Sequence, residues 1–376
     1  MAAISISDAP WLRREIGKSH ILALDSLRGF AAVLVLAAHL HVAPSVCGYI
    51  GVSVFFVISG FLITWLLLQE NNHTGTISLK AFYARRTLRI FPAFYVYWVA
   101  CVVANRQIHA AIDSKEIAFS FFYLGDYYYG GLRYLWSAAA PIMGITWSLG
   151  VEEKFYFIWP TVYKRWRLEP RALCRIATGS IASILLFRIL FWFFVHPPAD
   201  YFRYAFEMRL DNIAFGCLMA ISVFEGYASK FIRAITAHVG CPFITVAALA
   251  GGASLETLWG GGYFFTLGLT VNSGLIAVLL IQLVVLARTS MRWLEIGPLR
   301  YLGRISYSLY LYHSVVIVLV NHYLPDLRWR WQLLYASGAS ILMASASYAL
   351  VAKPFLRLKE RFHARKVAPL ALGESV

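Results

Sequence analysis

The sequence is poor in charge, and poorest in acid. Only 14% of its 376 residues are charged, and Asp and Glu together number 19. A water-soluble fold of this length needs a polar surface that such a composition cannot supply. Cysteine is scarce too: five are spread along the chain, with no CxxC pair and no Cys/His spacing of a metal site. A disulfide framework and a zinc module are thereby excluded, no metal is expected, and the cysteines read as small apolar residues. Internal repeats and low-complexity tracts are also missing, which excludes a solenoid or a disordered scaffold.

What the chain has in quantity is apolar. It is 60% hydrophobic and 16% aromatic, with a mean hydropathy of +0.63. The expected fold class is therefore an all-α polytopic integral membrane protein in a lipid bilayer. Net charge is +15, but the basic residues fall between apolar runs. A membrane surface accounts for them there, and nucleic acid is not an expected partner.

About ten transmembrane helices are expected, near 21–42, 49–68, 90–105, 145–163, 172–195, 203–224, 234–251, 263–287, 303–323 and 331–352. The basic run from Phe82 to Pro92 reads as an amphipathic approach to the third span. An even number of spans puts both termini on one side, and most of the 34 Lys and Arg residues lie in connections on that side. The positive-inside rule makes it the cytoplasm. Residues 1–20 then form a cytoplasmic arm, 21–352 the transmembrane domain and 353–376 a basic cytoplasmic tail, with no cleavable signal peptide expected. The segment 106–145 is the least regular and reads as an external loop with an interfacial piece. Its Tyr127 to Tyr129 and Trp136 offer rings that could stack on sugars.

The first span carries two ionisable residues that an apolar helix needs a reason to hold, Arg28 and His39. Eleven residues put them on one face, roughly 16 Å apart along the axis. On this topology His39 lies in the outer half of the membrane. Glu152 and Glu153, one to two turns into an inward-running helix, reach the same depth. A neutral imidazole can take a proton from a hydroxyl and a carboxylate can orient it, so His39 and Glu152 form a candidate catalytic pair. A packing role for His39, hydrogen-bonded to a neighbouring helix, is the alternative. Arg86 and Arg89, three apart on a helix at the inner end of the third span, suit a phosphate, with Arg28 joining them. Anchoring to anionic lipid is the alternative there. His41 reads as interfacial, and Gly51, Ser59 and Gly60 as close-packing residues. Arg209 and Asp211 read as reaching each other or a polar cavity, and His313 as making a structural hydrogen bond.

Several blocks together resemble the membrane-bound acyltransferase-3 family, which includes O-antigen, Nod-factor and exopolysaccharide acyltransferases. They are Leu24-Asp-Ser-Leu-Arg28 with its spaced His39, Gly51-Val-Ser-Val-Phe-Phe-Val-Ile-Ser-Gly60, and Phe82-Tyr-Ala-Arg-Arg86-Thr-Leu-Arg89-Ile-Phe-Pro92. Trp147-Ser-Leu-Gly-Val-Glu152, Arg209-Leu-Asp-Asn-Ile-Ala-Phe-Gly216 and Leu302-Gly-Arg-Ile-Ser-Tyr-Ser-Leu-Tyr-Leu-Tyr-His313 complete the set, in family order. The chain departs from common family residues at Ser26, Gly150 and Tyr312.

The resemblance implies a multi-pass enzyme of the cell membrane, the bacterial inner membrane by family habit. It would move an acyl group, most often acetyl from acetyl-CoA, to a hydroxyl of a carbohydrate or lipid-linked glycan. It carries the family histidine onto His39, its paired arginines onto Arg86 and Arg89, its first-span arginine onto Arg28 and its glutamate onto Glu152. It also implies a stand-alone form without the extracytoplasmic SGNH hydrolase-like domain that some members carry. A transporter or flippase of a polar glycan or lipid-linked substrate is the competing reading. It would call for Gly/Pro-broken helices in matching halves, which the sequence lacks. Nothing in the sequence sets an oligomeric state.

Overall fold

The computed structural model describes residues 22–109, 113–133, 143–166, 169–259, 261–286, 291 and 296–359. The arm at 1–20, Trp136 and most of the basic tail lie outside the described residues. The helices are α1 (Leu22–His39), α2 (Ser45–Thr74), α3 (Leu79–Gln107), α4 (Ser114–Phe121), α5 (Thr146–Trp166), α6 (Pro170–Phe194), α7 (Phe206–Glu225) and α8 (Cys241–Trp259). They continue with α9 (Gly261–Leu286), α10 (Gly297–Tyr323) and α11 (Trp329–Leu358). The chain is a polytopic, all-helical membrane protein.

Each of the ten expected spans is a helix, but fewer than ten are long and apolar enough to cross a membrane. Seven meet that description among the described residues, and α7 makes an eighth when Ala199–Glu225 is joined to Ser229–Ile235 across a 110° bend. The count of ten is corrected for two physical reasons. Helix α5 carries Glu152, Glu153, Lys154, Lys164 and Arg165, too much charge for an apolar span. Helix α8 is apolar only over Cys241–Leu255, a stretch about a quarter too short for the ~30 Å hydrocarbon core.

Local chemistry sets the helix ends. Helix α1 closes in a Schellman turn: Val42 N–H donates to Ala37 O at 3.0 Å and His41 N–H to Ala38 O at 3.1 Å. His41 is the left-handed residue of that turn, with φ of 57°, so its role is to end the helix. Helix α2 stops at Gly75, where φ is 70°. Helix α3 is capped by Ser78, which accepts from Ala81 N–H, and runs unbroken through Pro92. The expected basic approach and the third span are therefore one helix.

The tightest packing is between backbones. A Cβ on Gly60 would lie 2.0 Å from Ile213 O, and one on Gly216 would lie 2.0 Å from Val57 O, so α2 and α7 touch without side chains between them. At the α1–α10 crossing a Cβ on Gly303 would lie 1.8 Å from Asp25 O. Deep in the bundle Asp211 pairs with Arg188 at 2.5 Å, both side chains fully buried, and Thr270 donates to the same carboxylate at 2.7 Å. Arg209 is not Asp211's partner; it donates to Ser53 Oγ at 3.0 Å.

The described residues of the connection between α3 and α5 are tied together by hydrogen bonds. Tyr128 donates to Asp113 at 2.8 Å and Tyr129 to Glu116 at 2.6 Å, while Met143 N–H donates to Glu116 at 2.9 Å. Tyr128 and Tyr129 are buried, so they are closed to the sugar stacking expected of them.

Candidate functional site

Five helices converge on one cavity. Arg28 enters from α1, Ser59 from α2, Arg86 and Arg89 from α3, Ser148 and Glu152 from α5, and Tyr307 and Tyr310 from α10. The cavity volume is about 90 Å³, room for a few water molecules. Arg89 is its exposed member; Arg28, Arg86 and Glu152 are half-buried.

Helical spacing explains the convergence. Arg86 and Arg89 are three apart and lie on one face of α3. Because α3 is continuous from Leu79, both sit well inside the helix and not at its inner tip. Arg85, one position away, faces elsewhere and pairs with Glu70 at 3.1 Å. On α5, Ser148, Glu152 and Tyr156 recur at four-residue intervals and share a face. Ser59 donates to Glu152 at 2.5 Å, and Tyr156 donates to Ser59 at 2.9 Å. The Arg86 guanidinium stacks 3.4 Å from the centre of the Tyr156 ring. Tyr310 meets Ser148, hydroxyl to hydroxyl, at 2.5 Å, and Tyr307 donates to Ile90 O at 3.1 Å.

Charge is unbalanced in the cavity. Three guanidiniums face the single carboxylate of Glu152, and Arg28 has Asp25 at 3.8 Å behind it. Arg86 Nε is buried with no hydrogen-bond partner among the described residues. A cavity lined this way favours an anionic ligand.

Four of the five site residues read from the sequence thus meet: Arg28, Arg86, Arg89 and Glu152. His39 does not join them. Its Nδ1 lies 2.9 Å from Val35 O, and its ring packs against His313 with centroids 4.7 Å apart. Glu152 is not a partner of His39; it faces the arginines. The expected pairing of donor arginines inside and carboxylate outside gives way to arginines and carboxylate in one chamber. His39 stands apart, farther along α1. Glu153, one position round the helix, does not line the cavity.

Residues 21–351 match the family model described as "Acyltransferase domain". The chain belongs to the acyltransferase family. Among relatives of this acyltransferase domain, "Peptidoglycan O-acetyltransferase OatA" of Listeria monocytogenes is 28% identical over 361 residues, covering 90% of this chain and 56% of that protein. "O-acetyltransferase OatA" of Staphylococcus aureus is 29% identical over 388 residues, covering 96% of this chain and 61% of that protein. The chain thus spans somewhat more than half the length of these relatives. No solved structure matches it.

Sequence reasoning passed over several residues of this candidate site. Ser59 looked like a packing residue beside Gly60, and Ser148, Tyr156, Tyr307 and Tyr310 drew no role in the cavity. The four-residue spacing of Ser148, Glu152 and Tyr156 is the signal that could have found two of them.

Proposed function

We propose that this chain transfers an acyl group, acetyl from acetyl-CoA being the favoured donor, to a hydroxyl of a cell-envelope polysaccharide of the peptidoglycan class. The observation that carries the reading is the convergence of Arg28, Arg86 and Arg89 on one cavity beside a hydrogen-bonded Glu152. Family membership supports acyl transfer, and the printed activities of the relatives support O-acetylation. Both termini are taken as cytoplasmic and the acceptor as lying on the opposite side, as a lipid-linked or polymeric glycan.

In this reading Arg86 and Arg89, with Arg28, hold phosphate oxygens of the donor, which needs planar, multidentate cations. His39 is the general base. Its Nδ1–H is held by Val35 O, which leaves Nε2 free to take the acceptor's proton. The acceptor oxygen bonds to the thioester carbonyl carbon, the C–S bond breaks, and the proton ends on the thiolate sulfur. Glu152, fixed by Ser59, stands in the arginine chamber, where a carboxylate holds the guanidiniums in place. The test is purified protein in nanodiscs, given acetyl-CoA and N-acetylglucosamine oligosaccharides. Free thiol release and the acetyl mass increment on the sugar are expected from the unaltered chain and not from His39→Ala. Full activity of His39→Ala would remove the base assignment. In sealed proteoliposomes, sugar transfer across the membrane without thiol release would favour the transporter reading instead.

A further inference from the structure

Arg209 on α7 is fully buried, and the acid nearest to it in sequence, Asp211, is taken by Arg188 at 2.5 Å. Its Nη2 donates to Ser53 Oγ of α2 at 3.0 Å. Asn212, equally buried, donates to the same oxygen at 3.0 Å. Residues 209 and 212 are three apart, so their side chains share one face of α7. Beyond the shared serine, Arg209 Nε and Nη1 and Asn212 Oδ1 are buried with no hydrogen-bond partner among the described residues. The rings of Phe56 and Trp147 lie with their centres 5.6 Å from the guanidinium carbon. They ease the charge, but a ring face is a weak acceptor and does nothing for the Asn212 oxygen. Free donors beside a free acceptor, inside an apolar bundle, call for a partner.

Helix α2 sets the level of this cluster. A Cβ on Gly51 would lie 2.7 Å from Ala31 O and 2.8 Å from Val35 Cγ2, so α2 passes α1 there. Ser53 is two residues farther from the turn that joins the two helices. That level lies between Arg28, in the arginine chamber, and His39. Phe56 borders both places: it lines the cavity and has the Arg209 guanidinium beside its ring.

We propose that Arg209 and Asn212 bind a secondary amide of a substrate, reached from the cavity past the Phe56 ring. Arg209 N–H groups donate to the amide oxygen, and Asn212 Oδ1 accepts the amide N–H. The proposal rests on the reading of the chain as a CoA-dependent acyltransferase. A donor with its phosphates on Arg28, Arg86 and Arg89 and its thioester at His39 lays its pantetheine arm across this level, and that arm carries secondary amides. An acetamido group of the acceptor sugar has the same chemistry. No bond is made or broken at Arg209 and Asn212; they hold the substrate while transfer takes place at His39.

The test is equilibrium binding to the full chain in nanodiscs. The probes are CoA, the phosphoadenosine diphosphate part of CoA without its pantetheine arm, an N-acetylglucosamine oligosaccharide, and the same oligosaccharide de-N-acetylated. Arg209→Met keeps the length of the side chain without its N–H groups, and Asn212→Leu keeps its shape without the amide. Both are expected to weaken one amide-bearing probe about ten-fold or more, as for a lost hydrogen bond to a charged group, and to leave its amide-free counterpart unchanged. Loss with CoA assigns the amide to the pantetheine arm, and loss with the acetylated sugar assigns it to the acceptor; either supports the site. Variants that bind every probe as the unaltered chain does, as a cluster filled by structural water predicts, overturn it. So do variants that lose the nucleotide part together with CoA. Should Arg209→Met not fold, Asn212→Leu changes no charge and carries the same comparison. An unaltered chain that binds no CoA overturns the donor reading separately, and the sugar probes then decide the site.

Discussion

Ser59 on α2 donates a 2.5 Å hydrogen bond to Glu152 on α5. This contact ties the carboxylate of the cavity to a helix that the glycines at 60 and 216 press against α7. A hydrogen bond to a charged group contributes about 1.5–3 kcal/mol. Ser59→Ala should therefore lower kcat/KM for acetyl transfer by roughly ten- to a hundred-fold, since 1.4 kcal/mol is about a factor of ten. Membrane levels of the variant should match the unaltered chain; a variant with full activity would show that Glu152 needs no fixing.

Arg86 is expected to act through its plane as much as through its charge. Stacked 3.4 Å from the Tyr156 ring centre, it cannot be replaced by lysine without loss of both the stack and the fork of donors. Arg86→Lys should raise the KM for acetyl-CoA by about ten-fold, equivalent to about 1.4 kcal/mol, with a smaller effect on kcat. Initial rates over a range of acetyl-CoA concentrations measure it.

The Arg188–Asp211 pair sets a stability prediction. Removing one partner of a fully buried ion pair costs about 3–5 kcal/mol, while replacing both with apolar residues is often near neutral. Arg188→Met should lose its monodisperse size-exclusion peak at a lower temperature than the unaltered chain. The double change Arg188→Met with Asp211→Leu should recover most of that loss, Thr270 being left without the two hydrogen bonds it shares with the pair. A double variant no better than the single one would contradict this account.

Asp126, in the connection between α4 and α5, gives a pH prediction. Burial pushes its carboxyl up from 3.8 to about 6, against the opposing pull of Lys154, whose Nζ lies 2.6 Å away. A carboxyl raised in the folded state binds its proton more tightly there than in the unfolded chain. This one contribution therefore favours folding as pH falls through about 6 toward 3.8 and is lost above about 6. Thermal midpoints measured from about pH 7 down to about pH 4 should rise more, or fall less, in the unaltered chain than in Asp126→Asn. Parallel curves would show that Asp126 does not titrate in this range.

Much of the bundle was legible because bilayer chemistry is simple: long apolar runs must be helices that satisfy their own backbone. All ten expected runs are helices, and the arginines at 28, 86 and 89 stood out because charge in an apolar helix is costly. Depth was the weak inference. Counting residues along α1 and α5 put His39 and Glu152 level, yet Glu152 bonds to a serine 93 positions away in the chain, a contact with no local signal. Taking Phe82 to Pro92 as a separate approach set Arg86 and Arg89 at the membrane edge, and the unbroken α3 draws them inward. His313 makes the structural hydrogen bond expected of it, to Tyr310 O of its own helix, and only the fold brings its ring against His39.

The glycine crossing of α1 and α10 has a mechanical meaning. Where a single methyl group would overlap the backbone of the next helix, the two rods cannot slide or roll past one another without parting altogether. The helices that carry His39 and His313 are thus mounted on one splint. A substrate arriving at His39 thus meets a helix whose place beside α10 is set by main chain.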